Sequence, residues 1–473
     1  MKNSIVAMLT MLISTKIIFS FDLTSYRIQS LGSDFQGIIE DEYTDILANP
    51  ARINLVDKKQ VQVKIANPPT VGLISNRRGL FVEGYESLRQ GERLSFYSYP
   101  NYGYASVDSR KYKTQNEQVD FVFLKSINKG KISSGIGFFG ARNIYINDYI
   151  YQWERVYSIL TDNKIIGEEK YENKYKTTTE NISGKLLFGF YKNGNFGTRE
   201  LIANLTIAYP KSSNENYAYS YSNEDTDGDG YTYYDGSIPT PYYNWNLTKT
   251  NSNSEPKIIK LGAGLEYRSK AKTEDGQDGI IIGCSYQPTG LKINNNYESR
   301  SYSVRGTTIT ESVSISSATI LSGGNKYSLI LGWGRVTKFL EKRLSFMYAC
   351  RGNFGYEYEE TEQSSQEYLL VVSLTEKSKQ FTGRIAVPIA MEYLLYKFLP
   401  LRVGFTYSIN GSLKDEDVLT LGKKYFLQNR NVNINTEYRA GFGIIIKKVT
   451  LDFLLSGNIF YIPSYRMQLK YIF

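Results

Sequence analysis

The stretch Tyr465 to Phe473 alternates with period two. Tyr465, Met467, Leu469, Tyr471 and Phe473 form one apolar face, and Arg466, Gln468 and Lys470 oppose it, with Ile472 the one exception. Such alternation makes a strand with one face in an apolar medium and the other in water. The pattern recurs: Ile259, Leu261, Ala263, Leu265 and Tyr267 interleave with Lys260, Gly262, Gly264, Glu266 and Arg268, and Leu401, Val403, Phe405, Tyr407 and Ile409 enclose Arg402 and Gly404. No apolar run approaches the ~20 residues that a membrane-spanning helix needs. A chain that repeats half-apolar strands and never builds a long apolar run is predicted to be all-β, a transmembrane antiparallel β-barrel with its apolar face to lipid.

Counting strands by their outward apolar residues predicts fourteen within residues 93–473. Sixteen is the alternative, if Val61, Val63 and Ile65 with Leu80, Val82 and Tyr85 add a first hairpin. The connections test the count independently. Those assigned outside, about 108–118, 141–181, 210–257, 288–324, 353–382, 411–436 and 458–464, alternate with short inner turns such as 128–131, 396–400 and Lys447-Lys448. Short periplasmic turns and longer outer loops are the barrel rule. Both ends of the barrel then lie in the periplasm. Residues 1–20, a basic start followed by a short apolar run, read as a signal peptide. The terminal aromatic Phe473 resembles the signal read by the barrel-assembly machinery, which makes that machinery an expected partner.

Residues 21–92 are assigned to an N-terminal plug segment that has room for that first hairpin. Phe35, Ile38, Ile39, Tyr43, Ile46 and Leu47 recur at helical spacing, so one or two short amphipathic helices are expected. Pro50 biases Asn49 out of the helical region and ends the run. At Asn49-Pro50-Ala51 the chain resembles the long-chain fatty-acid transporter family of outer-membrane barrels, and the related barrels attached to type IX secretion. Both carry an Asn-Pro-Ala element after an N-terminal segment that, in the transporters, plugs the lumen. The resemblance implies that Phe35, Ile38, Ile39, Tyr43, Leu47, Asn49, Pro50 and Ala51 form the plug and substrate region. A string of inward glycines (Gly135, Gly137, Gly262, Gly264, Gly332, Gly404, Gly441, Gly443) leaves space beside the wall for plug or substrate.

Composition narrows the chemistry. The chain holds 41 Tyr, 23 Phe and 3 Trp, which suits aromatic girdles at the two membrane interfaces. The formal charge is +9, but basic residues are scattered among 47 acids, so no nucleic-acid surface is read from it. With no histidine, Ser-His and Cys-His catalysis and histidine metal sites are excluded. Cys284 and Cys350, placed two strands apart, are expected to stay unpaired because ~9.6 Å exceeds disulfide reach. The chain is therefore read as a non-enzyme.

One loop carries a ligand pattern. Asp225, Asp227 and Asp229 alternate, Gly230 stands sixth, and the Tyr231 carbonyl stands seventh, as at the start of a calcium loop. The twelfth position is Gly236 rather than Glu, with Asp235 beside it, so the Ca²⁺ expected across 225–236 is weak and no cofactor is required. The surrounding loop, rich in Tyr, Asn and Ser, departs from the transporter family's apolar landing loops and suits a protein or glycan contact.

The leading expectation is a passive channel or transporter of the bacterial outer membrane, gated by the plug. It would carry hydrophobic or small amphipathic molecules, with outer-membrane lipid around it. The alternative is a non-transporting scaffold barrel for protein secretion or surface anchoring. A third class is an adhesin whose outer loops are the working part.

Overall fold

Sixteen antiparallel strands close into one barrel. The structure, a computed structural model, describes the chain apart from residues 1–24, 57, 66–68, 100–103, 128–131, 159–164, 225–232, 235–238, 241, 256–259, 306–307, 368–369, 397, 421–422 and 457–463. The strands are β1 (Gln60–Ile65), β2 (Thr70–Ser75), β3 (Arg78–Tyr99), β4 (Tyr104–Ser126), β5 (Ile132–Ser158), β6 (Ile165–Gly194) and β7 (Gly197–Glu224). Then β8 runs in two pieces (Tyr242–Glu255 and Lys260–Thr273), both pairing with β7 and with β9 (Gly276–Arg305). They continue as β10 (Thr308–Phe339), β11 (Leu344–Glu367), β12 (Leu370–Tyr396), β13 (Leu399–Thr420), β14 (Lys423–Ile446), β15 (Val449–Ser456) and β16 (Ser464–Ile472). Closure comes from β1 against β16, where Val61 faces Tyr471 and Val63 faces Leu469.

Fourteen strands therefore becomes sixteen, and the barrel begins at Gln60, inside the stretch assigned to the plug. Sixteen is the alternative count; of the two added strands, β1 holds its Val61, Val63 and Ile65, and the one missed is β2. Its inward Ile74 packs under the N-terminal segment, as does Phe81 of β3, while Val71 and Leu73 face the other way. With both faces apolar, the period-two contrast is lost. The first of the strands expected within 93–473 starts earlier, at Arg78, after a two-residue turn, Asn76-Arg77, with both φ positive. The Lys447-Lys448 turn is found between Ile446 and Val449.

The outer connections shrink for the opposite reason. Most of 141–181, 288–324 and 353–382 continues the strands, so that β6, β9 and β10 reach 30, 30 and 32 residues. A strand of that length extends ~100 Å at ~3.3 Å per residue, whereas a tilted membrane span needs only ~9–11 residues. The excess stands clear of the apolar band as a tall tower. Tyr, Thr and Ile keep it extended although both its faces are polar.

Around the lower barrel the outward face is apolar. Phe121, Phe138, Leu205, Leu265, Ile282, Leu331, Ile385 and Val403 are all exposed there. Cys284 and Cys350 also lie exposed and unpaired, on β9 and β11 with β10 between them. The inward face of this lower part is covered by residues 25–56. They form α1 (Tyr26–Leu31), a 3-10 turn (Ser33–Phe35), α2 (Glu42–Ala48) and a second 3-10 stretch (Pro50–Leu55). The Ser25 side chain caps α1 and the Asp41 side chain caps α2.

Candidate functional site: the plugged lumen

Two apolar clusters seat the segment on opposite sides of the lumen. Ile28, Leu31, Phe35, Ile38 and Ile39 pack with Ile281, Met347, Ala349 and Ala390 of β9, β11 and β12. Tyr43, Ile46, Leu47 and Ile53 pack with Ile74, Phe81, Val122 and Leu124 of β2–β4. The predicted Phe35, Ile38, Ile39, Tyr43 and Leu47 are thus brought together against the wall, in two groups rather than along one helix face. The Gly32 and Gly37 turns, at φ 123° and 80°, break the run within the first group, and the capped start of α2 at Asp41 separates it from the second.

The Asn49-Pro50-Ala51 corner sits between β5, β6 and β7. Asn49 and Ala51 are fully buried. Asn49 Oδ1 accepts from the Ala51 amide at 3.1 Å, which caps the 3-10 stretch, and its Nδ2 donates to Glu200 Oε2 at 2.9 Å and to the Phe190 carbonyl at 3.1 Å. Ser133 Oγ donates to the Ala51 carbonyl at 3.2 Å. This approach demands bare backbone opposite. A Cβ at Gly135 would fall 2.5 Å from the Ala51 nitrogen, and one at Gly189 would fall 2.0 Å from Asn49 Oδ1.

Next to the corner lies a buried charge network. Arg52 Nε donates to Glu200 Oε1 at 2.9 Å, and Arg52 reaches Asp45 at 3.1 Å. Lys270 Nζ lies 2.7 Å from Asp45 Oδ2, with Arg268 at 3.6 Å from its other oxygen. Arg52 also stacks over the Tyr191 ring at 5.0 Å. Burial by itself would raise the Asp45 carboxyl, but the charges of Lys270, Arg52 and Arg268 hold it below the ordinary carboxylate range. Sequence reading missed Arg52, Asp45, Glu200 and Lys270. The signal for Glu200 was its place between outward neighbours on an alternating strand. For Asp45 and Arg52, no periodicity could show the partner.

A second set of anchors holds the other half. Arg27 Nε donates to Glu392 at 2.9 Å, and Glu392 also receives Arg402, which in turn pairs with Asp452 at 2.6 Å. Burial alone would lower the Arg27 guanidinium, but Glu392 and Asp41 hold it above its ordinary value. Arg384 forks onto Asp34, Arg439 reaches Ser33 Oγ at 2.5 Å, and Arg351 donates to the Gln36 carbonyl at 3.0 Å. Gln468 accepts from the Tyr26 amide at 3.1 Å, and Lys470 meets Glu42 at 2.5 Å. Of the predicted inward glycines, Gly135, Gly332, Gly404 and Gly441 abut the segment. Gly262 and Gly264 do not, and Gly189, Gly279 and Gly334, which also abut it, were missed.

Counted around the ring, residues 25–56 meet every one of the sixteen strands. They leave a polar cavity of about 400 Å³ at the short-turn end of the barrel, lined by Arg27, Asp41, Asp45, Arg52, Gln468 and Lys470 among others. Outward of the plug, a second space of about 310 Å³ is bordered by Lys185, Asn204, Thr206, Glu266, Gln287 and Ser328. The lumen is polar on both sides of the plug. The candidate calcium ligands Asp225, Asp227, Asp229, Tyr231 and Asp235 lie outside the described residues, as does the candidate signal peptide.

No protein-family model matches the chain, and no curated protein matches its sequence. Among solved structures it is similar to the toluene transporter TodX of Pseudomonas putida, at TM-score 0.34 and 9% identity over 96% of this chain and 98% of that one. It is also similar to the siderophore receptor PiuA of Acinetobacter baumannii, at TM-score 0.19 and 8% identity over 88% and 81%. The outer membrane protease OmpT of Escherichia coli follows at TM-score 0.18 and 10% identity over 72% and 96%. At such scores the barrel assignment rests on this chain's own strand pairing and apolar band.

Proposed function

We propose that the protein is a passive outer-membrane conduit for small amphipathic molecules, gated by its N-terminal plug. The observation that carries this reading is the seating of residues 25–56. They close the lumen by contacts with all sixteen strands, yet every contact is non-covalent, and polar cavities flank the closure on both sides. A segment held by ion pairs and small apolar clusters can leave its seat, whereas a permanent seal has no need of cavities. The polar lining favours solutes that carry hydrogen-bonding groups over bare hydrocarbons. Outer-membrane lipid surrounds the apolar band in this reading. No step of catalysis is assigned.

A scaffold role is the second reading, favoured by the number of anchors: two charge networks and two apolar clusters fasten one short segment. Deleting residues 25–56 separates the two. If the heat-modifiable barrel still forms, transport predicts a large rise in single-channel conductance and in uptake of a small amphipathic dye. Unchanged conductance in a folded barrel overturns the conduit and supports the scaffold.

A further inference from the structure

The tower strands carry different chemistry on their two faces. Gly135 of β5 and Gly189 of β6 touch the plug, so the odd-numbered positions of both strands face the lumen, and pairing runs without a register shift up to Tyr157. By the same alternation Glu200 sets Asn214 and Asn216 of β7 inward, and Leu124 sets Arg110 and Tyr112 of β4 inward.

Two neighbouring inner rows result. Tyr112, Tyr149, Tyr175 and Asn216 lie side by side across β4–β7, above Thr114, Asn147, Thr177 and Asn214. Neither row holds a charge. On the outer face at the same level stand Lys113, Asp148, Lys176 and Glu215, alternating in sign. Composition therefore differs by face, and general solubility does not explain it.

The inner aromatics serve neither lipid nor a core. Tyr112 is 47% exposed, Tyr145 38% and Tyr175 37%, so their faces open to the lumen. Beyond them Trp153 stacks on Tyr171 with centroids 5.9 Å apart and planes at 17°, and Tyr151 sits 6.0 Å from the same ring. Arg155 covers Trp153 at 4.6 Å and Arg110 covers Tyr151 at 5.1 Å, which fixes the rings in place. Between the rings, the amide oxygens of Asn143, Asn173, Asn214 and Asn216 receive no donor from the chain. Shielded acceptors without donors are unusual, and a turn of the terminal amide brings each to the lumen.

We propose that the inner wall of β4–β7 is a binding site for a neutral oligosaccharide. The C–H face of a sugar ring stacks on an aromatic side chain, and its hydroxyls both donate to amide oxygens and accept from amide and phenol donors. Uncharged rows select a neutral saccharide over an acidic one. Three strand spacings of ~4.8 Å make each row ~14 Å long, which suits a chain of sugars rather than a single ring. The site lies outward of the plug and does not depend on the plug moving.

The test uses the full chain in detergent, with maltohexaose, mannohexaose and cellohexaose as neutral probes and an alginate hexasaccharide as the acidic one, read by calorimetry. At least one neutral hexasaccharide binds, and binds tighter than alginate. Tyr112→Ala and Tyr175→Ala weaken it at least about tenfold, ~1.4 kcal/mol. Tyr175→Phe, which keeps the ring, and Lys176→Ala, on the outer face, leave it unchanged. Heat-modifiable mobility confirms that each variant is folded. The proposal is overturned if no neutral hexasaccharide binds, if alginate binds as tightly, or if Lys176→Ala weakens binding as much as the aromatic variants do.

Discussion

The lower barrel and the tower are built from the same strands in the same register, yet their inner walls have little in common. Below, the wall is glycine, buried charge and a few apolar residues, because another piece of chain lies against it: Gly135, Gly189, Gly279 and Gly404 admit plug backbone, and Glu200 and Lys270 each face a plug charge. Above, on β4–β7, the wall at the level of Tyr112 and Tyr175 is Tyr, Asn and Thr, with rings open to the lumen, while across the lumen β10, β11 and β13 turn the ion pairs Lys326–Glu357 and Lys414–Glu416 inward. What a strand's inner positions carry therefore reports what fills the lumen at that height. Bare backbone and fully buried charge mark a protein filling. Uncharged hydrogen-bonding groups mark solvent or a soluble ligand.

Three experiments bear on that division, in descending order of effect. Removing Glu200 leaves Arg52 with Asp45 as its close partner and takes an acceptor from Asn49 Nδ2, and losing one partner of a buried ion pair costs up to about 3–5 kcal/mol. Glu200→Ala is expected to free residues 25–56 for protease cleavage and to raise conductance, with saccharide binding in the tower unaltered. A parallel loss of both would show that the regions are one unit. Gly135→Val is next. Its side chain must occupy the place of the Ala51 amide, and overpacking of this kind costs roughly 1–3 kcal/mol. Faster hydrogen exchange at the Ala51 amide reads the effect. Gly411→Ala, where a Cβ meets open space, serves as the control and should stay within about 0.5 kcal/mol of the parent.

The smallest effect is that of pH. The Asp45 carboxyl is held below its ordinary 3.8, so the folded state binds its proton less readily than the unfolded state does. Its contribution to docking is then fully present above the ordinary value and is lost only as pH falls through the lower, folded one. Conductance should stay low from pH 7 to about pH 5 and rise only below about pH 4. In Asp45→Asn that acid-dependent rise should be absent. A rise between pH 7 and 5 would place the latch on some other group.

Much of the lower barrel was legible from residue order. Alternation of Leu265 with Glu266 or Val403 with Arg402 gives a strand and its lipid face directly, since side chains on a strand must point to opposite sides. The amphipathic run from Phe35 to Leu47 gives a segment that needs burial, and Pro50 gives its end. β2 was not legible, because packing of Ile74 under α2 removes the polar positions that make alternation visible. The length of β5–β7 was hidden too: a polar strand and a polar loop have the same composition, and only pairing with a neighbour across the barrel distinguishes them.

The sequence by itself determined an antiparallel barrel, its outward face, and an amphipathic N-terminal run that breaks at Asn49-Pro50-Ala51. Each of these follows from spacing within a few residues. Tertiary structure alone decided that Arg52 meets Glu200, that Asp45 meets Lys270, that Gly189 is the seat of Asn49, and that Trp153 and Tyr171 share one inner wall. The first three pairs lie 148, 225 and 140 positions apart, and closure of the barrel around the plug brings them together; the last, 18 apart, faces across the β5–β6 hairpin. A local pattern records which side of a strand faces in, but not what it will meet there, because that depends on where distant strands fall around the ring.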